Sequence, residues 1–121
     1  MAVTVTNQSN PLGSKIVQDT SATNSSVDNA SGASGTIFMI EVDNTANGAA
    51  VFFKLADAAS ATAGTTAATI VVMCPANAKR SIVFPQGIAF SNGFSHWCVT
   101  SASESSTAAP SSAVVVRYVT S

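Results

Sequence analysis

From Thr36 onward, the chain is a succession of short runs rich in β-branched and aromatic residues, each closed by Gly, Pro, Asn or Ser. Such runs are typical of strands, because branched and aromatic side chains fit a pleated surface and the closing residues favour turns. The alanine-rich residues 56–68 contain threonines and a glycine and lack an apolar stripe at helical spacing, which predicts a loop. We therefore predict an all-β domain, an antiparallel β-sandwich of jelly-roll or immunoglobulin-like type. The predicted strands are residues 36–43, 50–55, 69–73, 79–84, 88–90, 94–100 and 113–120.

The first two of these runs, residues 36–43 and 50–55, are predicted to pair as a hairpin. The turn between them contains Asn47 and Gly48, a pair that tolerates the positive φ of a tight hairpin turn. Alternation along the second run predicts that Lys54 is exposed. The same alternation directs Val51, Phe53 and Leu55 into the core.

Residues 1–35 have a different texture, with two short apolar runs followed by Ser, Thr, Asn and Gly. A stretch so poor in bulky side chains cannot build a core of its own. We predict an extended N-terminal arm over residues 1–35, with one or two short strands ordered on the rest of the domain or on a neighbouring subunit. Residues 36–121 form the sandwich domain.

The composition of the 121 residues indicates one domain that associates with copies of itself. Only 9% of the residues are charged, against 46% hydrophobic, so little charge keeps copies apart. Residues 70–73 and 114–116 are apolar at every position, which in an antiparallel sheet predicts that the second face is also covered. A subunit interface is the expected cover.

Charge and hydropathy argue against two classes of partner. The net charge is −1, and among five basic residues only Lys79 and Arg80 are adjacent, so we expect no nucleic-acid partner. No apolar run has the length of a membrane span, and the N-terminus lacks the pattern of a signal peptide. We expect a protein that folds in a cytosol, has no membrane partner and keeps Cys74 and Cys98 as free thiols.

No set of residues predicts catalysis or a cofactor. His96 is the only histidine, and it shares one side of a predicted strand with Cys98, but two ligands do not make a metal site. A Cys–His nucleophile pair needs hydrogen-bond reach, and strand neighbours two apart are separated by about 6–7 Å. A cysteine hydrolase that pairs Cys74 or Cys98 with His96 is the weakest alternative. Glu41 and Asp43 share a strand face and are expected to be solvated or, at most, to bind a cation weakly.

Large apolar and aromatic side chains on the strands are the candidate contacts with a partner. A strand aromatic is more often a core or interface anchor than a sugar platform. The interface candidates are Met39, Phe52, Trp97 and Tyr118.

Several pieces of residues 50–120 follow a common pattern. They are Phe53-Lys54-Leu55-Ala56-Asp57-Ala58, Gly64, Pro75-Ala76, the run from Phe84 to Gly93, Val99-Thr100 and Tyr118. In this pattern the chain resembles small structural proteins of tailed bacteriophages and prophages. It departs from them at Ala56, where Tyr is common, and in its His96-Trp97-Cys98 run.

This resemblance implies a virion component of the capsid decoration (cement) type, without catalytic residues. The implied partners are the major capsid protein and further copies of the chain, because proteins of this type commonly form trimers. The implied location is the capsid surface, after assembly in the host cytoplasm. The alternative is a tail, neck or head-fibre module that binds a host surface glycan through Trp97, Tyr118 and loop 101–112.

Overall fold

The computed structural model describes residues 2–7 and 13–121, and within them the chain forms eight antiparallel strands and no helix. The predicted all-β class is therefore confirmed, and no helix in the described ranges is long and apolar enough to cross a membrane. The strands are β1 (Val3–Asn7), β2 (Lys15–Ala22), β3 (Gly35–Asp43), β4 (Val51–Asp57), β5 (Ile70–Cys74), β6 (Lys79–Phe90), β7 (Phe94–Val99) and β8 (Val114–Thr120).

The strands form two sheets, one in the order β1-β2-β8-β3-β6 and one in the order β5-β4-β7. Residues 23–30 extend the smaller sheet beside β7, where Val27 and His96 exchange two backbone hydrogen bonds. Four links carry the chain from one sheet to the other. They join β2 to this segment, β3 to β4, β5 to β6, and β7 to β8. This connectivity is that of a jelly roll, with β1 added at the edge beside β2.

The predicted hairpin between residues 36–43 and 50–55 is wrong, because β3 and β4 belong to different sheets. Neither Asn47 nor Gly48 has the positive φ that a two-residue hairpin turn needs. Instead the buried amide of Asn44 donates to the carbonyls of Ala49 and Pro75. These bonds stabilise an arch that carries the chain from one sheet to the other.

Strand β6 continues through Pro85, where the sequence predicted a stop. The strand lies at the edge of the five-stranded sheet, and an edge strand tolerates a proline because its outward N–H has no strand to bond. The register with β3 shifts between Ile37 and Met39, and Gly87 takes a φ of 73° opposite this irregularity. A bulge therefore joins what the sequence predicted as two separate strands.

The described part of residues 1–35 lies on the rest of the domain. Strand β2 pairs with β8, and it buries Val17 and Ala22 in the main core between the sheets. Strand β1 pairs only with β2 and forms one edge of the larger sheet. Residues 8–12, which the sequence places in the arm, lie outside the described residues.

Candidate functional site

Three polar side chains meet in the middle of the main core. His96 Nε2 lies 2.8 Å from Asp19 Oδ2, and His96 Nδ1 lies 2.8 Å from the hydroxyl oxygen of Tyr118. All three residues are buried. An ionised carboxylate only accepts hydrogen bonds, so the Nε2–H of His96 donates a hydrogen bond to Asp19. The other ring nitrogen, Nδ1, is hydrogen-bonded to the Tyr118 hydroxyl.

The three residues come from three strands in two sheets. Asp19 is on β2 and Tyr118 is on β8 in the larger sheet, while His96 is on β7 in the smaller one. The Phe53 ring packs on the same imidazole, with its centroid 5.7 Å from that of His96. The network therefore joins the two sheets by hydrogen bonds, and aromatic side chains enclose it.

The sequence analysis considered His96 as a possible ligand or base and Tyr118 as an interface candidate, but it did not predict the network and did not single out Asp19. Asp19 and His96 are 77 positions apart, and neither forms a local motif that would connect them. The one available signal is an acidic residue at a position whose alternation with Val17 places it on the core side of β2. A buried carboxylate of this kind needs a partner, and His96 is the only histidine in the chain.

The environment of the network displaces the pKa values of its acids. Burial by itself would raise the pKa of Asp19. Hydrogen bonds from His96 and from the Ser21 N–H, together with the charge of His96, lower the pKa by more than burial raises it, so the pKa lies below 3.8. Burial raises the pKa of Tyr118 well above 10.0, and the charge of Asp19 acts in the same direction. Asp19 is therefore ionised and Tyr118 neutral across the physiological range.

These shifts predict how the stability depends on pH. The stabilisation from Asp19 is present above the ordinary carboxyl pKa of 3.8 and is lost as the pH falls through its lower folded value. At high pH, Tyr118 and Cys98 lose their protons more easily in the unfolded chain than in the folded one, because burial raises both pKa values. Stability therefore falls as the pH rises above their ordinary pKa values of 10.0 and 9.0. Urea titrations from pH 2 to 11 should show a plateau between these limits, and a constant midpoint below pH 4 would contradict the role of Asp19.

Both cysteines are free and buried, as the sequence predicted for their redox state. Burial raises the pKa of the Cys74 thiol and, to a larger extent, that of Cys98. A nucleophilic cysteine requires the opposite shift together with access to solvent. Cys98 shares the core with His96, yet the nitrogens of this imidazole are bonded to Asp19 and Tyr118.

Two of the four interface candidates are not on the surface. Tyr118 is buried in the network, and Trp97 is 1% exposed. Trp97 points away from the main core, because β7 alternates between its two faces, and it packs under the alanine-rich loop in a second cluster with Ala56, Ala61 and Val99. Neither aromatic ring can therefore contact a partner or stack on a sugar in this conformation.

The other two candidates, Met39 and Phe52, are half-buried on outer sheet faces. Phe52 is paired in register with Met73, which is 39% exposed, and Val71 on the same strand is 46% exposed. On the larger sheet, Met39 is paired with Val83, which is 53% exposed. Both outer faces thus keep apolar side chains in contact with solvent.

The prediction that Lys54 is exposed is wrong. Its side chain is 2% exposed, and Nζ donates a hydrogen bond to the Ser103 carbonyl oxygen at 2.6 Å. Burial lowers the pKa of Lys54, while the charge of Glu104 acts in the opposite direction. Strand alternation does direct Lys54 to the outer face of the sheet, but the loop after β7 folds back over this face and covers it.

Replacement of Lys54 with Met should release this loop with little loss of stability. The Met side chain keeps most of the apolar stem, and the freed Ser103 carbonyl can bond water, so we expect a cost of about 1 kcal/mol. Amide hydrogen exchange of residues 101–106 should become faster, while that of β4 stays unchanged. Unaltered exchange in the loop would show that the Lys54 bond does not hold it.

A surface depression lies beside the same loop. It has a volume of about 420 Å³ and is lined by hydroxyl and amide groups, including those of Asn24, Ser26, Thr62 and Thr107, and by the methyl groups of two alanines. Among the described residues, no charged side chain lines it. Within residues 2–7 and 13–121, no group of three or more His, Cys, Asp or Glu side chains lies close enough to hold a metal ion.

Comparisons with protein-family models, curated proteins and solved structures found no match to this chain.

Proposed function

We propose that the chain is a virion structural protein, a capsid decoration (cement) protein that stabilises a phage head by packing on its surface together with further copies of itself. The observation that carries this proposal is the apolar exposure of the outer strand faces, at Met73 and Val71 on one sheet and Val83 on the other. On each of the two faces, these side chains project from strands of the sheet, so a flat partner can cover the apolar side chains of that face. The resemblance of residues 50–120 to small phage structural proteins supports the same role.

Composition and network geometry are consistent with this proposal. A chain with only 9% charged residues binds neighbours at a low desolvation cost. Asp19, His96 and Tyr118 are bonded to one another, and His96 and Tyr118 have no access to solvent. Their arrangement stabilises the sandwich and does not require a substrate to explain it.

Binding to shells tests the proposal directly. The purified chain is mixed with expanded capsid shells of the major capsid protein from the same virus, and saturable co-sedimentation is expected. Because little of the surface is charged, binding should change little between 50 mM and 500 mM salt, and it should raise the temperature at which the shells break. A chain that stays in the supernatant at all shell concentrations would refute the role.

A pair of variants identifies the face that meets the shell. We expect Met73→Lys to weaken co-sedimentation, because it places a charge beside Phe52 in the exposed apolar patch of the smaller sheet. Ser105→Lys, on the exposed loop after β7, is the matched control and should bind as the parent chain does. Equal binding by both variants would place the shell contact elsewhere on the chain.

A second candidate function, the binding of a host glycan, is favoured by the depression beside loop 101–112. Its uncharged hydroxyl and amide lining suits a neutral polyhydroxylated ligand, although no exposed aromatic ring lines it. The replacement of Trp97 cannot test this function, since that residue lies in a buried cluster. Saturable binding of host envelope polysaccharide, lost in an Asn24→Ala/Thr107→Ala variant, would support this candidate over shell binding.

A further inference from the structure

The outer face of the larger sheet carries a row of apolar side chains that crosses four strands. Ile16 on β2 is in register with Val119 on β8, Val119 with Met39 on β3, and Met39 with Val83 on β6. Their chain neighbours Val17, Tyr118, Ile40 and Ile82 belong to the core or pack against it, so strand alternation directs this row to the opposite face. Val83 is 53% exposed and Met39 and Ile16 are half-buried, whereas Val119 is only 5% exposed.

A polar row lies two residues further along the same strands. Gln18 is in register with Arg117, Arg117 with Glu41, and Glu41 with Ser81. Within the described residues, the ion pairs are Lys79–Asp43 and His96–Asp19, so Arg117 and Glu41 form none despite their adjacent positions. One cation and one anion therefore stand side by side on the two central strands of this face, each able to take an outside partner.

The two rows are self-complementary about a line between β8 and β3. The line is parallel to the strands and lies in the plane where two copies touch. A two-fold rotation about it places β8 of one copy over β3 of the other, and β2 of one copy over β6 of the other. Arg117 then meets Glu41, and Ile16 meets Val83, while Val119 is buried within its own chain and adds little to the contact. A partner with a different charge arrangement would not satisfy both ions, whereas a second copy satisfies both, and the symmetric contact contains the Arg117–Glu41 pair twice.

We propose that this face is a two-fold contact between copies of the chain, with Met39 near its centre and two Arg117–Glu41 ion pairs across it. Two sheets that pack face to face keep their strands within about 30° of each other, which agrees with an axis parallel to the strands. The contact deepens the self-association in the proposed function, but it does not require shell binding. A two-fold contact closes after two copies, whereas the phage resemblance implies trimers.

Charge reversal in solution tests the contact without shells. The full chain should have the mass of a dimer by light scattering, whereas Glu41→Arg and Arg117→Glu, each alone, should halve that mass because like charges then face each other. An equimolar mixture of the two variants should regain the dimer mass. In the mixed pair, every cation faces an anion across the contact, although each chain still carries two like charges on its own face.

The mixture separates an effect between copies from an effect within a chain. If reversal acted only by destabilising the fold, mixing would restore nothing, and that outcome would overturn the proposal. A parent chain that is a monomer, or a trimer whose mass neither reversal changes, would also overturn it, while co-sedimentation with shells could still succeed. Met39→Lys should abolish the dimer, and the matched control Val71→Lys on the outer face of the other sheet should leave it intact.

Discussion

Replacement of Trp97 with Ala should cost about 4 kcal/mol of unfolding free energy, among the largest effects of any single substitution in this chain. The indole is buried on the outer face of the smaller sheet, where Ala61 and other small side chains of the loop before β5 lie against it. Small side chains let this backbone lie close to the ring but cannot move in to fill the space that it would leave. Urea unfolding followed by circular dichroism measures the loss.

Trp97→Phe distinguishes packing from hydrogen bonding at this site. The indole Nε1 is buried without a hydrogen-bond partner in the described structure, so its removal loses no bond. We expect Trp97→Phe to cost only about 1–2 kcal/mol, which reflects the smaller ring. The control Val71→Ala, at an exposed position on the same sheet, should stay within about 0.5 kcal/mol of the parent chain. A Trp97→Ala variant as stable as Trp97→Phe would show that the alanine-rich loop does not depend on the ring.

Replacement of Asp19 with Ala should cost about 3 kcal/mol, because it leaves His96 Nε2 buried without a partner. The same substitution should also flatten the acid side of the stability profile, since the carboxyl group with the lowered pKa is gone. Urea unfolding at pH 7 and at pH 3 measures both effects. The exposed acid Glu104 provides the control, and Glu104→Ala should change the stability by less than about 0.5 kcal/mol.

Tyr118→Phe tests whether the three residues act as one network. It removes only the hydroxyl group that bonds His96 Nδ1, so we expect a cost of about 1–2 kcal/mol. Because Asp19 and Tyr118 bond the same imidazole, the double variant should differ from the sum of the single variants by more than about 0.5 kcal/mol. Additive losses would mean that the two hydrogen bonds are independent.

The all-β class and most strand positions could be predicted from the sequence, because alternation and turn residues are local signals. Strand β7 was predicted at 94–100 and is Phe94–Val99, and β8 was predicted at 113–120 and is Val114–Thr120. The absence of a helix from residues 56–68 was also correctly predicted, since threonine and glycine disfavour a helix, although residues 56 and 57 continue β4 and the loop begins at 58. The two free thiols followed from their small number.

The failures share one cause, which is that they depended on distant parts of the chain. The hairpin prediction used an Asn-Gly pair, but buried amide bonds from Asn44 to Ala49 and Pro75 direct the chain across to the other sheet. Alternation correctly placed Lys54 on the outer face of its strand, but the loop after β7 covers this face and buries the side chain. Burial of Trp97 under small side chains likewise needed the loop before β5 to fold over that face.

The sequence by itself determined the strands, their alternation and a surface nearly free of charge, since these properties belong to short stretches or to composition. Only the tertiary structure decided which strands pair and which polar groups meet. It joined Asp19 to His96 over 77 positions, and it aligned Arg117 with Glu41 on one sheet face. Pairings of this kind depend on the closure of long loops around a common core, and no local pattern records which partner each strand will find.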